Sequence, residues 1–132
     1  MDIDFDIIPY THDEKLPWCQ IFDLDGTLAI KGDRDIFDFA KVGVDKVNSS
    51  IAYLTKSNND VIIILSGRPD ICKNETEEWL YKSDQIYYEQ LHMRKDGDYR
   101  DDTIIKYELF NEHIRGRYNV RFVVDDRPKV CR

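Results

Sequence analysis

The chain has 132 residues, a formal net charge of −7, and 42% hydrophobic against 34% charged residues. That length carries one domain with a sizeable core, and its longest apolar run, Val61 to Leu65, is far short of a bilayer span. The acidic balance argues against broad binding of duplex nucleic acid, whose affinity comes mostly from Lys and Arg. A phosphate substrate stays open, because carboxylates that hold a divalent cation count as negative while presenting a positive site.

The amino-terminal stretch MDIDFDII is acidic where an export signal is basic, so a cytoplasmic location without membrane contact is expected. Cys19, Cys72 and Cys131 lie far apart with no CxxC spacing, which suits a reducing compartment. Residues 2–7 alternate polar and apolar, so residues 1–17 read as a tail or an edge strand, with Pro9 and Pro17 bracketing the connection. The main domain is expected over residues 18–132. Trp18 to Phe22 reads as a strand that ends at Asp23, and residues 31–48 are irregular. Asn48 is a helix N-cap candidate for a helix through about Ser57, with Ile51 and Leu54 inward. "SNND" breaks the chain before VIIIL, a β-branched run typical of a strand buried on both faces. A helix over Asn74–Lys82, a strand over Gln85–Gln90 and a helix from Asp102 to about Ile114 follow. Ile105, Leu109 and Ile114 are candidates for the buried face of that last helix. Val120 to Val124 is the final clear strand.

Strands alternating with helices predict an α/β fold, a Rossmann-like, mostly parallel sheet with helices on both faces. Ligands of such sheets bind off the carboxyl ends of the strands. Three of these ends are polar: Asp23-Leu24-Asp25, Ser66-Gly67-Arg68 and Asp125-Asp126-Arg127. Two carboxylates one residue apart repel each other unless something positive joins them. An EF-hand loop starting at Asp23 fails, since its sixth and twelfth positions are Leu28 and Arg34 instead of Gly and Glu. A plain solvated turn is one reading of the segment; the functional reading places Mg²⁺ between these carboxylates and a phosphate. An ionised carboxylate serves as nucleophile without a base, and the metal offsets its repulsion from the phosphoryl group.

DLDGT followed by SGR, a lysine and a DD pair resembles the haloacid dehalogenase superfamily of aspartyl-phosphate phosphotransferases. The resemblance implies that Asp23 attacks phosphorus. Asp25 then protonates the leaving oxygen and later deprotonates the hydrolytic water. It also implies that Ser66 hydrogen-bonds the phosphoryl oxygens and that Lys106 neutralises charge. Asp125 and Asp126 would complete the Mg²⁺ ligands beside Asp23 and Asp25, one directly and the other through water, in an order left open. Read without the family, Lys106 is as well explained by a surface i,i+4 pair with Asp102.

A narrower resemblance covers roughly residues 18–130. "DLDGTLAIKGDRDIFDFAK", "ILSGRPD" and "MRKDGDYRDDTIIKYELFNEHI" look like the 3′-phosphatase domain of bacteriophage polynucleotide kinase–phosphatases. By this likeness Arg34 and Arg68 contact the substrate phosphate or its neighbour, and Arg94 helps bind the nucleotide. Asp102 orients Lys106 or another basic partner, while Asp98 and Arg100 either share in this or only tie down their loop. The substrate implied is a 3′-phosphate on a DNA or RNA end, with a separate kinase or ligase as a possible co-worker. The resemblance also implies that the chain stops short of a last helix and strand present in relatives.

Residues 29–60 must already supply a crossover, which needs on the order of a dozen residues, and residues 68–101 are consumed by a helix, a strand and a loop. No large cap domain is expected, and an open site suits the end of a polymer. Tyr87, Tyr88 and Tyr99 are candidates for stacking a base. None of the six glycines starts a GxxxxGK[ST] loop, so no 5′-kinase chemistry is expected. The rival functions are a nucleotide or small-molecule phosphatase with the same catalytic residues, and a non-catalytic end-binding module. A receiver-like signalling domain would need an aspartate where Ser66 stands.

Overall fold

β-branched and aromatic residues form the strands, and the structure, a computed structural model, describes residues 13–30, 45–56 and 59–125. In chain order the elements are β1 (Trp18–Phe22), β2 (Ala29–Ile30), β3 (Lys46–Val47), α1 (Ser49–Leu54) and β4 (Val61–Pro69). A 3-10 turn (Asp70–Cys72), α2 (Lys73–Ser83), β5 (Gln90–Arg94), α3 (Asp102–His113) and β6 (Asn119–Val124) follow. Four strands form one sheet in the order β5-β4-β1-β6, and all of its pairings are parallel. β2 and β3 make a separate antiparallel ribbon, with Ala29 opposite Val47. The described residues form no large cap.

The side-chain alternation of a strand splits the core into two layers. Ile62 and Ile64 of β4 join Phe22, Trp79, Leu80 and Met93 on one side of the sheet. Ile63 and Leu65 join Cys19, Ile21, Phe110 and Ile114 on the other. VIIIL is therefore buried on both faces, as its composition predicts. Each such aliphatic side chain contributes about 1.5–3 kcal/mol on full burial. Cys19 and Cys72 are free and buried, and burial, with Asp60 nearby, pushes the Cys19 thiol up to about 12.

Asn48 caps α1 as expected, its side chain accepting from the Ile51 N–H, but α1 ends at Leu54 and that leucine is exposed. Ala52 takes the buried position instead. The expected strand Gln85–Gln90 is displaced: the strand is Gln90–Arg94. Ile86 and Tyr88 gave that stretch its strand-like composition, yet they serve the connection from α2 to β5, Ile86 in the core and Tyr88 packed against it. The strand itself carries the less apolar QLHMR with a period-two burial pattern. Asp101 caps α3 by accepting from the Thr103 N–H at 2.8 Å. Besides the expected Ile105 and Ile114, α3 buries Phe110 and Lys106.

Candidate active site

Asp23 follows the last residue of β1, and its backbone N–H donates to the Val124 carbonyl at 2.9 Å, so the β1–β6 pairing continues to the aspartate. Asp125 immediately follows β6. Between them stands the ammonium of Lys106 from α3, 2.6 Å from Asp23 Oδ1 and 3.3 Å from Asp125 Oδ2. The lysine side chain is 3% exposed and the two carboxylates 9% and 2%. A buried ammonium is tolerable only with such partners. Burial pushes the Asp23 carboxyl up to about 6; Lys106 pulls it down, and Asp125 pushes it further up. The surface i,i+4 alternative for Lys106 is therefore ruled out by its placement.

The second strand end is shaped by a bulge. In the β4–β5 register Ser66 faces Met93 and Pro69 faces Arg94, so Gly67 and Arg68 have no counterparts on β5. Bulges re-aim side chains next to functional sites. Here Ser66 is fully buried, and its Oγ accepts from the Arg68 N–H at 3.0 Å. The Arg68 side chain runs to Asp25, where Nη2 donates at 2.6 Å and Nε at 2.9 Å, a bidentate clamp. Nη2 also reaches Asp45 Oδ2 at 2.9 Å, and Nη1 donates to Thr76 Oγ1 at 3.1 Å. Asp45 is in turn fastened to α2, its carbonyl accepting from Trp79 Nε1 at 2.7 Å. Arg68 is 1% exposed. Its guanidinium is engaged by Asp25, Asp45 and Thr76; the family likeness expects of it a contact to the substrate phosphate or its neighbour. Asp25 itself is about half exposed and presents its carboxylate outward.

Gly67 has a steric reason. A Cβ there would lie 2.5 Å from Asp102 Oδ1 and 2.7 Å from its Cγ. Asp102 pairs with Arg94, whose other donors go to the carbonyls of Gly67, Asp98 and Arg100. The structure thus gives Asp102 the basic partner expected of it and identifies that partner as Arg94. Arg94 braces its own loop; the family likeness expects it also to help bind the nucleotide. Arg100 pairs with Asp98 and Glu108, closing the same loop. Gly97 turns this loop with φ +89°, a conformation that glycine adopts without strain.

Two expected residues, Arg34 and Asp126, lie outside the described residues. Of the tyrosines, Tyr87 and Tyr88 precede β5 and so lie at the opposite end of the parallel sheet from the aspartates. They line a cavity of about 570 Å³ with Leu80, Ile86 and Glu89. Tyr99, on the loop between β5 and α3, is on the aspartate side and is 92% exposed. Asp45 and Thr76 escaped sequence reading; Thr76 sits in an unremarkable helix, and Asp45 in a stretch without pattern.

Among the described residues, no group of three or more His, Cys, Asp or Glu side chains is arranged to hold a metal ion. The donor chemistry nonetheless fits Mg²⁺: Asp23 and Asp125 are hard oxygen ligands gathered at one buried point, and their negative charge exceeds that of the single lysine. No described helix is long and apolar enough to cross a membrane.

Residues 17–132 match the family of the polynucleotide kinase PNKP phosphatase domain. This chain belongs to that family. Among relatives of the phosphatase domain, a protein of Autographa californica nuclear polyhedrosis virus named as a bifunctional polynucleotide kinase/RNA ligase is 39% identical over 124 residues. That match spans 90% of this chain and 18% of the viral protein. A solved structure of the Pnkp1/Rnl/Hen1 RNA repair complex contains a chain 41% identical, with a TM-score of 0.84, covering 92% of this chain and 40% of that one. A second structure of the Pnkp1/Rnl/Hen1 complex agrees, at 41% identity and a TM-score of 0.84. The α/β fold with its parallel sheet is therefore that of the Pnkp1 haloacid dehalogenase-like domain. The chain spans less than half the length of each of these relatives. The viral relative is a baculovirus protein, so the likeness is not confined to bacteriophages.

Proposed function

We propose that this chain is a Mg²⁺-dependent phosphomonoesterase that removes 3′-phosphates from polynucleotide ends through an aspartyl-phosphate on Asp23. The observation that carries the reading is the separate provision for the two aspartates. Asp23 is buried against an ammonium, and Asp25 is half exposed in an arginine clamp. One carboxylate is set up to attack and the other to exchange protons with a leaving group.

In this mechanism an Asp23 oxygen forms a bond to phosphorus as the bond from phosphorus to the 3′-oxygen breaks. Asp25, entering as the acid, gives its proton to that oxygen and becomes a carboxylate. It then takes a proton from the water that attacks the acyl-phosphate, which releases inorganic phosphate and regenerates both carboxyl groups. Lys106 offsets charge on Asp23 and on the phosphoryl group. In this reading Ser66 hydrogen-bonds a phosphoryl oxygen, and Arg34 is a candidate for a contact to the substrate. Asp23 and Asp125, with Asp126 and Asp25 as further candidates, would hold Mg²⁺, which supplies charge neutralisation for the transferring phosphoryl group. A polynucleotide substrate is supported by the family and by the RNA repair assemblies in which a structural relative occurs. Those assemblies also make a ligase or kinase a reasonable co-worker.

Phosphate release from matched DNA and RNA oligonucleotides carrying a 3′- or a 5′-phosphate, with a 3′-mononucleotide for comparison, tests this reading. The 3′-ended polymers should be preferred, EDTA should stop release and Mg²⁺ restore it, and Asp23→Asn should be inactive. Near wild-type turnover in Asp23→Asn would overturn the covalent mechanism. Preference for the mononucleotide would overturn the end-healing role.

A further inference from the structure

We infer that Asp45 is a positioning residue for proton transfer: it holds the Arg68 guanidinium, and through it Asp25, in the orientation that delivers a proton to the leaving oxygen. The inference rests on the role given to Asp25 above and adds to it a residue that lies outside the three polar strand ends.

Arg68 Nη2 is shared between Asp25 Oδ1 and Asp45 Oδ2, at 2.6 and 2.9 Å. The Asp45 side chain is fully buried, while that of Asp25 is 46% exposed. Asp45 therefore faces the interior and Asp25 the open site, with one planar fork between them. A guanidinium presents its donors in a fixed geometry, so anchoring one side fixes the direction of the other. Thr76 anchors the third nitrogen, and the Trp79 indole ties the Asp45 backbone to α2. Asp25 belongs to the loop after β1, turned at Gly26 with φ +81°. That loop has its own hydrogen bonds, Gly26 N–H to the Ala29 carbonyl at 2.8 Å and Ala29 N–H to the Leu24 carbonyl at 2.8 Å. These set the backbone, and the two donors of Arg68 hold the carboxylate.

A carboxyl group held in the wrong direction still binds substrate but gives up its proton poorly. The cost appears when the leaving group is a sugar hydroxyl, which cannot depart as an alkoxide without that proton. In this first step an aryl phosphate, whose phenolate leaves unaided, is spared; the second step, in which Asp25 takes the proton of the attacking water, is the same for both substrates. Misplacement of a reacting group by about 1 Å costs up to roughly 100-fold in rate.

Single-turnover release of the leaving group by the whole chain with Mg²⁺, from a 3′-phosphorylated oligonucleotide and from p-nitrophenyl phosphate, tests the assignment. Asp45→Ala is expected to slow the first turnover of the oligonucleotide about 10-fold to 100-fold, with its half-saturating concentration nearly unchanged and little loss in the first turnover of the aryl ester. Asp45→Asn keeps an acceptor for Nη2 and should restore most of the rate. Thr76→Val, which removes a lesser anchor of the same fork, should show the same pattern more weakly and guards against an Asp45→Ala that fails to fold. Equal losses on both substrates, or full activity in Asp45→Ala, would overturn the role of Asp45. Asp25→Ala run beside them keeps the two readings apart. If it too spares the oligonucleotide, the role of Asp25 fails; if it alone discriminates between the substrates, only Asp45 is dismissed.

Discussion

The two aspartates of the DLD segment are neighbours in sequence but are served by different cations from opposite layers of the fold. Asp23 meets Lys106, which rises from α3; Asp25 meets Arg68, which is backed by Asp45 and α2. Each cation is buried and lies between two carboxylates. The difference lies in the cation. An ammonium is a compact charge without directional demands, so it balances Asp23 and still lets an oxygen turn to a substrate. A guanidinium is a planar fork, so it aims Asp25. A nucleophile needs its charge offset, and a proton donor needs a direction. On the proposed mechanism each aspartate has the counter-ion that its task requires.

Breaking the first pair should have the largest effect. Lys106→Met leaves Asp23 and Asp125 facing each other in the interior, a loss of about 3–5 kcal/mol in folding stability. It should also cost roughly 100-fold or more in kcat. Arg68→Lys keeps a charge and loses the fork, so its stability loss should be the smaller while its oligonucleotide turnover still falls. Thermal unfolding and kinetics on the same two variants decide the matter; a larger unfolding loss for Arg68→Lys would invert the proposed division of labour.

Gly67→Ala sharpens the comparison with a smaller effect. The new Cβ meets the Asp102 carboxylate, which Arg94 holds in place. Overpacking of this kind costs about 1–3 kcal/mol, read as a shift in the midpoint of urea unfolding. Gly67 adjoins both Ser66 and Arg68, so activity should fall as well. An alanine variant as stable as the parent would mean that Asp102 can yield.

The smallest effect concerns a basic group that faces other bases. His92 stacks on His113 with ring centroids 3.7 Å apart, and its Nε2 pairs with Gln90 Oε1 at 2.8 Å. Burial, then His113 and Lys73, push its pKa down to about 4. The unfolded chain takes up this proton near pH 6.5 and the folded one only near 4. Below about pH 6.5 the unfolded state therefore binds more protons, and stability contributed by neutral His92 is lost as pH falls toward 4. Melting temperatures at pH 7, 6 and 5 should fall less steeply in His92→Gln than in the parent. Identical slopes would show that His92 does not stay neutral.

Much of this arrangement is legible locally. A β-branched run marks β4, and a carboxylate pair at the end of an apolar strand marks the site. Asn48 signals the start of α1. What escaped is carried by long-range partners. Lys106 can be placed at Asp23 only by family likeness, because its spacing from Asp102 suits a surface pair equally well. The tie from Arg68 to Asp45, 23 residues away in sequence, has no local signal. The β5 error came from Ile86 and Tyr88, whose strand-like composition reflects burial in a connection. Composition reports burial well and hydrogen-bond ladders less well.

The position of β1 has a consequence for biosynthesis. Among the described residues it is the earliest strand of the sheet, yet Trp18 pairs with Asn119 and Asp23 shares its lysine with Asp125. Pairings of such long sequence separation are among the slowest to form. A ribosome releases the DLD segment long before α3 and β6 exist, and until they dock Asp23 has neither its ammonium nor its second carboxylate. The DLD segment therefore waits after its own synthesis for α3 and β6, and on the proposed mechanism activity begins only when both have docked.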